Sequence, residues 1–157
     1  LRTGDDLRDT WGPRWVERAA VDVTALGSIT FFVLLTSGVV IYLVLVRRWL
    51  WVGLVLLAVL GGALVVDTLK EAFARPRPDI VPHLTTEHTM SFPSGHAAMS
   101  ATVYLTLGVL LSQATTLRRL KVFFMLIALL LPLMVGASRV FLGVHYPTDV
   151  LAGWSLG

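Results

Sequence analysis

No cysteine occurs in this chain, which excludes disulfides and thiolate metal sites while leaving the compartment open. Charge is scarce as well: 15% of the 157 residues are Asp, Glu, Lys or Arg, where a soluble domain carries about 25%. No secretory h-region opens the chain, because Leu1 to Asp22 is charged and bears tryptophan. No internal repeat or low-complexity tract is present. A formal net charge of +3 without a basic stripe on a soluble face is a set of membrane-protein loop charges, so no nucleic-acid partner is expected.

What remains is long and apolar. The runs Val23 to Val46, Trp49 to Val66, Ala97 to Leu117 and Val122 to Ser138 carry no Asp, Glu, Lys or Arg. Each is near the roughly 20 residues needed to cross a bilayer as a helix. The expected fold is all-α, a polytopic transmembrane bundle. Its helices should cover about 25–46, 50–70, 95–113 and 122–138, with a fifth opening near Thr148 and stopping at Gly157. The absent initiator Met and the abrupt end are what a piece of a longer protein would show. Before the first span, Leu7, Trp11, Trp15, Ala19 and Val23 recur every four residues between charges. This pattern predicts an amphipathic helix in the membrane interface over 1–24, followed by the transmembrane domain, 25–157.

The turns at 47–48 and 118–121 hold five Lys or Arg and no acid, which predicts that they lie inside. All ten acidic residues then fall on the opposite, outward side. Helix alternation puts three polar patches on that same face.

The first patch is Lys70 with Arg77-Pro78. Pro76 and Pro78 stop a helix and push Arg75 and Arg77 towards extended backbone, returning Arg77 over the helix end. Arg presents a planar fork to phosphate oxygens and Lys a point charge. Alone, the pair also fits two cations snorkelling at an interface, with Lys70 beside Asp67. The second patch is Pro93-Ser94-Gly95-His96. Ser94 can cap the next helix, Gly95 allows close backbone approach, and first-turn N–H groups attract anions. Alone, it fits a helix cap with an incidental histidine. The third is Ser138-Arg139, then His145 and Asp149. Pro147 favours a helix start that places Asp149 in the first turn, four residues from His145 and within reach of its ring.

Together the patches supply one phosphoryl transfer. His145 is the expected nucleophile, Asp149 its orienting carboxylate, and His96 the acid that protonates the leaving oxygen. Lys70, Arg77, Arg139, Ser94 and the Gly95 N–H are expected to bind phosphate; such donors are worth about 3–4 kcal/mol each in well-studied sites. A metal is the rival guest for histidine and aspartate, but three permanent cations would repel it. No metal ligands and no cofactor are expected. Water would then cleave the phosphohistidine; an acceptor alcohol in its place would make the protein a phosphotransferase. A membrane scaffold or lipid transporter would leave all these residues structural.

The joint pattern resembles the signature of the type 2 phosphatidic acid phosphatase superfamily: Lys, six residues, Arg-Pro; Pro-Ser-Gly-His; Ser-Arg, five residues, His, three residues, Asp. Every fixed position is filled, from Lys70 to Asp149. The resemblance implies metal-independent hydrolysis of a lipid phosphate or pyrophosphate, with isoprenyl pyrophosphate and phosphatidylglycerophosphate as the bacterial substrate classes. It implies six spanning helices, of which this chain resembles five with the last cut short, and an outward-facing site in the bacterial cytoplasmic membrane. Vanadate-dependent haloperoxidases share the motifs, but four uncharged spans argue against that soluble branch. The lipid substrate and the bilayer are the expected partners. His83, Glu87 and His88 have no counterpart in the signature and are expected to be lid or solvent residues.

Overall fold

The computed structural model describes residues 13–78 and 89–157. Among them are six α-helices and no strand: α1 (Arg14–Ala25), α2 (Ile29–Leu45), α3 (Trp49–Phe73), α4 (Gly95–Gln113), α5 (Arg118–Phe141) and α6 (Pro147–Leu156). Leu7 and Trp11 of the expected amphipathic helix lie outside the described residues, as do His83, Glu87 and His88.

Helices α3, α4 and α5 are each long and apolar enough to cross a membrane, and α1 with α2 forms a pair bent by 45° that makes a fourth span if taken as one. The first expected span, 25–46, corresponds to α2, which starts four residues later than expected, and α1 occupies the stretch before it. The cause lies at residues 26–28. Ser28 caps α2, its hydroxyl accepting from the Phe31 N–H at 3.2 Å. Gly27 is buried where a Cβ would lie 2.5 Å from Val135 and 3.1 Å from the His96 ring. The Leu26 carbonyl, left over at the break, accepts from the Tyr104 hydroxyl at 2.8 Å. An interrupted helix is tolerated at membrane depth where its freed groups find partners of this kind.

α3 also departs from expectation, running one turn past Lys70 to Phe73. Glu71 and Ala72 are good helix formers, and the stop comes only at Ala74, in the left-handed region at φ 43°. Arg75, which precedes a proline, cannot continue the helix. Likewise α5 carries Ser138 and Arg139 within it and ends at Phe141.

α4 is the centre of the bundle. From Ala97 to Tyr104 every residue but Met99 is buried. Small side chains allow this: a Cβ on Gly108 would lie 2.5 Å from that of Ala128 on α5, the close approach that drives helix association in lipid. The buried hydroxyls of Ser100 and Thr102 bond back to the Ala97 and Ala98 carbonyls, both at 3.0 Å. α6 docks in the same way. Its Trp154 lies against Gly136 of α5 and donates its indole N–H to the Pro132 carbonyl at 3.0 Å. Outward-facing Ile29, Leu57 and Leu64 are about 70–80% exposed, as suits an integral membrane protein whose solvent there is hydrocarbon.

Candidate active site

The ends of α3, α4, α5 and α6 meet at one pole of the bundle. Beyond α3, the Arg75 carbonyl accepts from the Ser91 N–H at 2.9 Å, pairing the proline-stiffened arm with the segment leading into α4. Arg77 folds back along this arm. Its Nε donates to the Thr89 carbonyl at 2.8 Å, Nη2 to the Thr89 hydroxyl at 3.2 Å, and Nη1 to the Val144 carbonyl at 2.9 Å. Lys70 reaches the same strip, donating to the Thr89 hydroxyl at 3.0 Å and the Met90 carbonyl at 2.8 Å.

His145 sits at the centre, 3% exposed. Gly143, at φ 77°, turns the chain out of α5 in a conformation natural to glycine and delivers the ring. Nε2 of His145 lies 3.2 Å from Nη1 of Arg77. A guanidinium has no acceptor, so Nε2 is the nitrogen carrying the lone pair and the proton of the neutral ring belongs on Nδ1. That nitrogen faces Asp149 Oδ2 at 3.5 Å, longer than a hydrogen bond. The direct bond expected from sequence spacing is thus an electrostatic contact. Burial, then the charges of Arg77, Arg139, Lys70 and His96, hold the His145 pKa far below its ordinary value of 6.5. Both effects favour the neutral ring.

Asp149 is fully buried, and its oxygens are spoken for elsewhere. Oδ1 accepts from Arg75 Nη1 at 2.8 Å. Oδ2 accepts a short hydrogen bond from the Ser91 hydroxyl and another from the Tyr146 N–H at 3.0 Å. The last is half of a capping box at the start of α6. Arg75 also donates to the Thr148 hydroxyl at 3.0 Å, and its guanidinium stacks 4.2 Å from the centre of the Tyr146 ring. Sequence reasoning left Arg75 as a neighbour of the cluster and gave no role to Ser91, Thr89 or Thr24. Arg75 had one signal, its place before Pro76; Ser91 had none.

The predicted residues divide into two layers. Lys70, Arg77, Gly95, His96 and His145 line one cavity of about 470 Å³. Behind its wall lie Asp149, Ser94 and Arg139, all buried. Ser94 is the α4 cap: its hydroxyl faces the Ala97 N–H at 3.5 Å and its own N–H donates to the Asp149 carbonyl at 3.0 Å. Arg139, 1% exposed, donates to the Thr24 hydroxyl of α1 at 3.1 Å. From this pole the cavity continues between α2, α3 and α4 past Phe32, Val59, Leu60 and Met99, so a polar head and an apolar body share one space.

Residues 48–157 match the PAP2 superfamily. Phosphatidylglycerophosphatase B of Bacillus subtilis (strain 168) is 38% identical over 149 residues, which are 91% of this chain and 70% of that protein. Decaprenylphosphoryl-5-phosphoribose phosphatase of Mycolicibacterium smegmatis is 36% identical over 107 residues, 68% of this chain and 53% of that protein. The crystal structure of a transmembrane PAP2-type phosphatidylglycerolphosphate phosphatase from Bacillus subtilis superposes with a TM-score of 0.86 at 34% identity, covering 93% of this chain and 73% of that one. With all three parts of the signature gathered at one pole of a membrane helix bundle, the chain belongs to the PAP2 superfamily and stands among its lipid phosphatases.

Proposed function

We propose that the protein hydrolyses the terminal phosphate of a glycerophosphate or isoprenyl membrane lipid through a phosphohistidine on His145, at the outward face of the membrane. The observation that carries this reading is the lone pair of His145 Nε2, aimed at Arg77 within a cavity that is cationic at one end and apolar along its length.

The entering phosphate displaces the Arg77 N–H from Nε2 and takes it on an oxygen. Lys70 and the Gly95 N–H bind further oxygens, and Arg139 adds its charge from behind the wall. The Nε2 lone pair forms the P–N bond as the bond from phosphorus to the leaving oxygen breaks. His96 gives that oxygen its proton and releases the alcohol or, from a diphosphate, the lipid monophosphate. The imidazole becomes positive during attack, and Asp149, 3.5 Å from Nδ1, stabilises it. Water then gives a proton to His96, attacks phosphorus and breaks the P–N bond, releasing inorganic phosphate. Charge is neutralised throughout by fixed side chains, so the reaction requires no divalent metal.

The test is rapid-quench labelling of purified protein in detergent and EDTA with lipid carrying radioactive terminal phosphate. An acid-labile, base-stable label on the His145 peptide is expected, together with free phosphate. Label on another residue, or turnover abolished by EDTA and restored by Mg²⁺, overturns the mechanism. Transfer of label to an added alcohol without free phosphate identifies a phosphotransferase.

A further inference from the structure

Among the described residues, one carboxylate that the chemistry above leaves unused stands between the cationic pole and the apolar length of the cavity. Asp67 lines the same cavity as Lys70, Arg77, His96 and His145. It lies three residues before Lys70 on α3, about 4.5 Å further along the axis from the phosphate site. Deeper still on that helix, Ala63, Leu60 and Leu56 line the apolar part. A lipid with its terminal phosphorus at His145 and its tail along these residues must pass its leaving-group segment beside Asp67. Asp67 is exposed and lines the cavity one turn from the Lys70 end of α3, so a polar segment of a bound lipid can reach its carboxylate.

We infer that Asp67 is a specificity-determining residue, selecting phosphomonoesters whose leaving alcohol carries a free hydroxyl, as glycerol and sugar phosphates do, and disfavouring diphosphates. The inference rests on the cavity being a lipid-phosphate site. A carboxylate only accepts hydrogen bonds, so it rewards a hydroxyl in the segment beside it and gives nothing to an ester or hydrocarbon. A diphosphate would bring its inner phosphate, a second anion, to the same level. Like-charge juxtaposition is the repulsive element by which a site rejects a near-isostere.

The experiment compares kcat/KM of the wild-type protein, Asp67→Ala and Asp67→Asn in detergent on four substrates. These are phosphatidylglycerophosphate, a polyprenyl-phosphoryl sugar phosphate, phosphatidate and an isoprenyl diphosphate. Asp67→Ala is expected to lower turnover of a hydroxyl-bearing substrate roughly tenfold to a hundredfold, the worth of a hydrogen bond to a charged group, mainly through KM. The first two substrates tell glycerol from sugar as the preferred source of that hydroxyl. Phosphatidate is expected to change by less than about twofold, having no hydroxyl to lose. Diphosphate hydrolysis is expected to rise about tenfold in both variants as the repulsion is removed. Asp67→Asn keeps the shape, so it carries the diphosphate test should the alanine variant fold poorly. Equal changes on all four substrates, or no gain on the diphosphate, overturn the inference and leave the phosphatase reading intact. A wild-type protein that releases phosphate from none of the four overturns both.

Discussion

Helices α4, α5 and α6 meet through glycine, alanine and serine at close range, whereas α2 and α3 leave nearly all of their leucines and valines exposed or only partly buried. Only Phe32 and Leu43 of α2 and Val55 and Val66 of α3 are buried, against the nearly continuous burial of 97–104 on α4. The same division runs through the site. His96, Arg139, His145 and Asp149 come from the tightly packed half. Lys70, Arg77, Asp67 and much of the apolar channel wall come from the half beside the bilayer. Under the proposed mechanism, the atoms that hold the line of attack rest on the more closely packed part of the fold. The groups proposed to admit and grip a lipid stand on helices with fewer buried residues.

Four outcomes would sharpen or break this contrast. His145→Ala removes the proposed nucleophile from the rigid half and should lower kcat by at least about a thousandfold; substantial phosphate release by that variant would end its assignment. Arg75→Ala should lower kcat about tenfold to a hundredfold with little change in KM, because it frees Asp149 to shift rather than removing a phosphate contact. Arg75→Lys should recover part of the loss; a rise in KM alone would place Arg75 at the substrate instead.

The packing itself can be tested with one pair of glycines. A Cβ on Gly136 would lie 2.4 Å from the Trp154 ring, while nothing lies within 4 Å of one on Gly53. Gly136→Ala should destabilise by about 1–3 kcal/mol through overpacking. Gly53→Ala should be neutral or gain up to about 1 kcal/mol from helix propensity. Melting in detergent checks both, and equal effects would dissolve the distinction between the halves.

The last outcome concerns pH. His145 is held well below its ordinary 6.5 by burial and the surrounding cations, so below 6.5 the unfolded chain takes up a proton that the folded one refuses. The stability associated with a neutral His145 is complete above pH 6.5 and is lost as pH falls, by up to about 1.4 kcal/mol per unit. Between pH 6.5 and 5.5 the wild type should therefore lose more stability than His145→Gln. Parallel losses would mean that the ring takes up its proton in the folded state.

Much of this was legible in the sequence because membrane helices announce themselves by uncharged length, and because residues that must be charged beside lipid have few reasons to be there. The three motif patches are gathered at one pole, and alternation of the helices was enough to foresee it. The boundary between the N-terminal helix and the first span was foreseen near residue 25, but its place at residues 26–28 was not, since Gly27 and Ser28 are unremarkable within an apolar run until Val135 and His96 are seen pressing on them. The wiring of Asp149 was hidden too. Four-residue spacing from His145 implied a direct hydrogen bond, but Arg75, Ser91 and the Tyr146 N–H occupy its oxygens, and two of these partners lie 58 and 74 positions away. Thr24 under Arg139, 115 positions distant, carries no local pattern at all.

The fixing of Asp149 has a consequence for how activity arises during biogenesis. Two of its partners, Arg75 and Ser91, are translated long before it and meet its carboxylate only once α6 has docked. Only then are the arm after α3, the entrance to α4 and the histidine loop locked to one point. A chain inserted only as far as α4 holds Lys70, Arg77 and His96 but lacks His145, the nucleophile of the proposed mechanism. Under the proposed mechanism, catalytic competence therefore waits on the docking of α6.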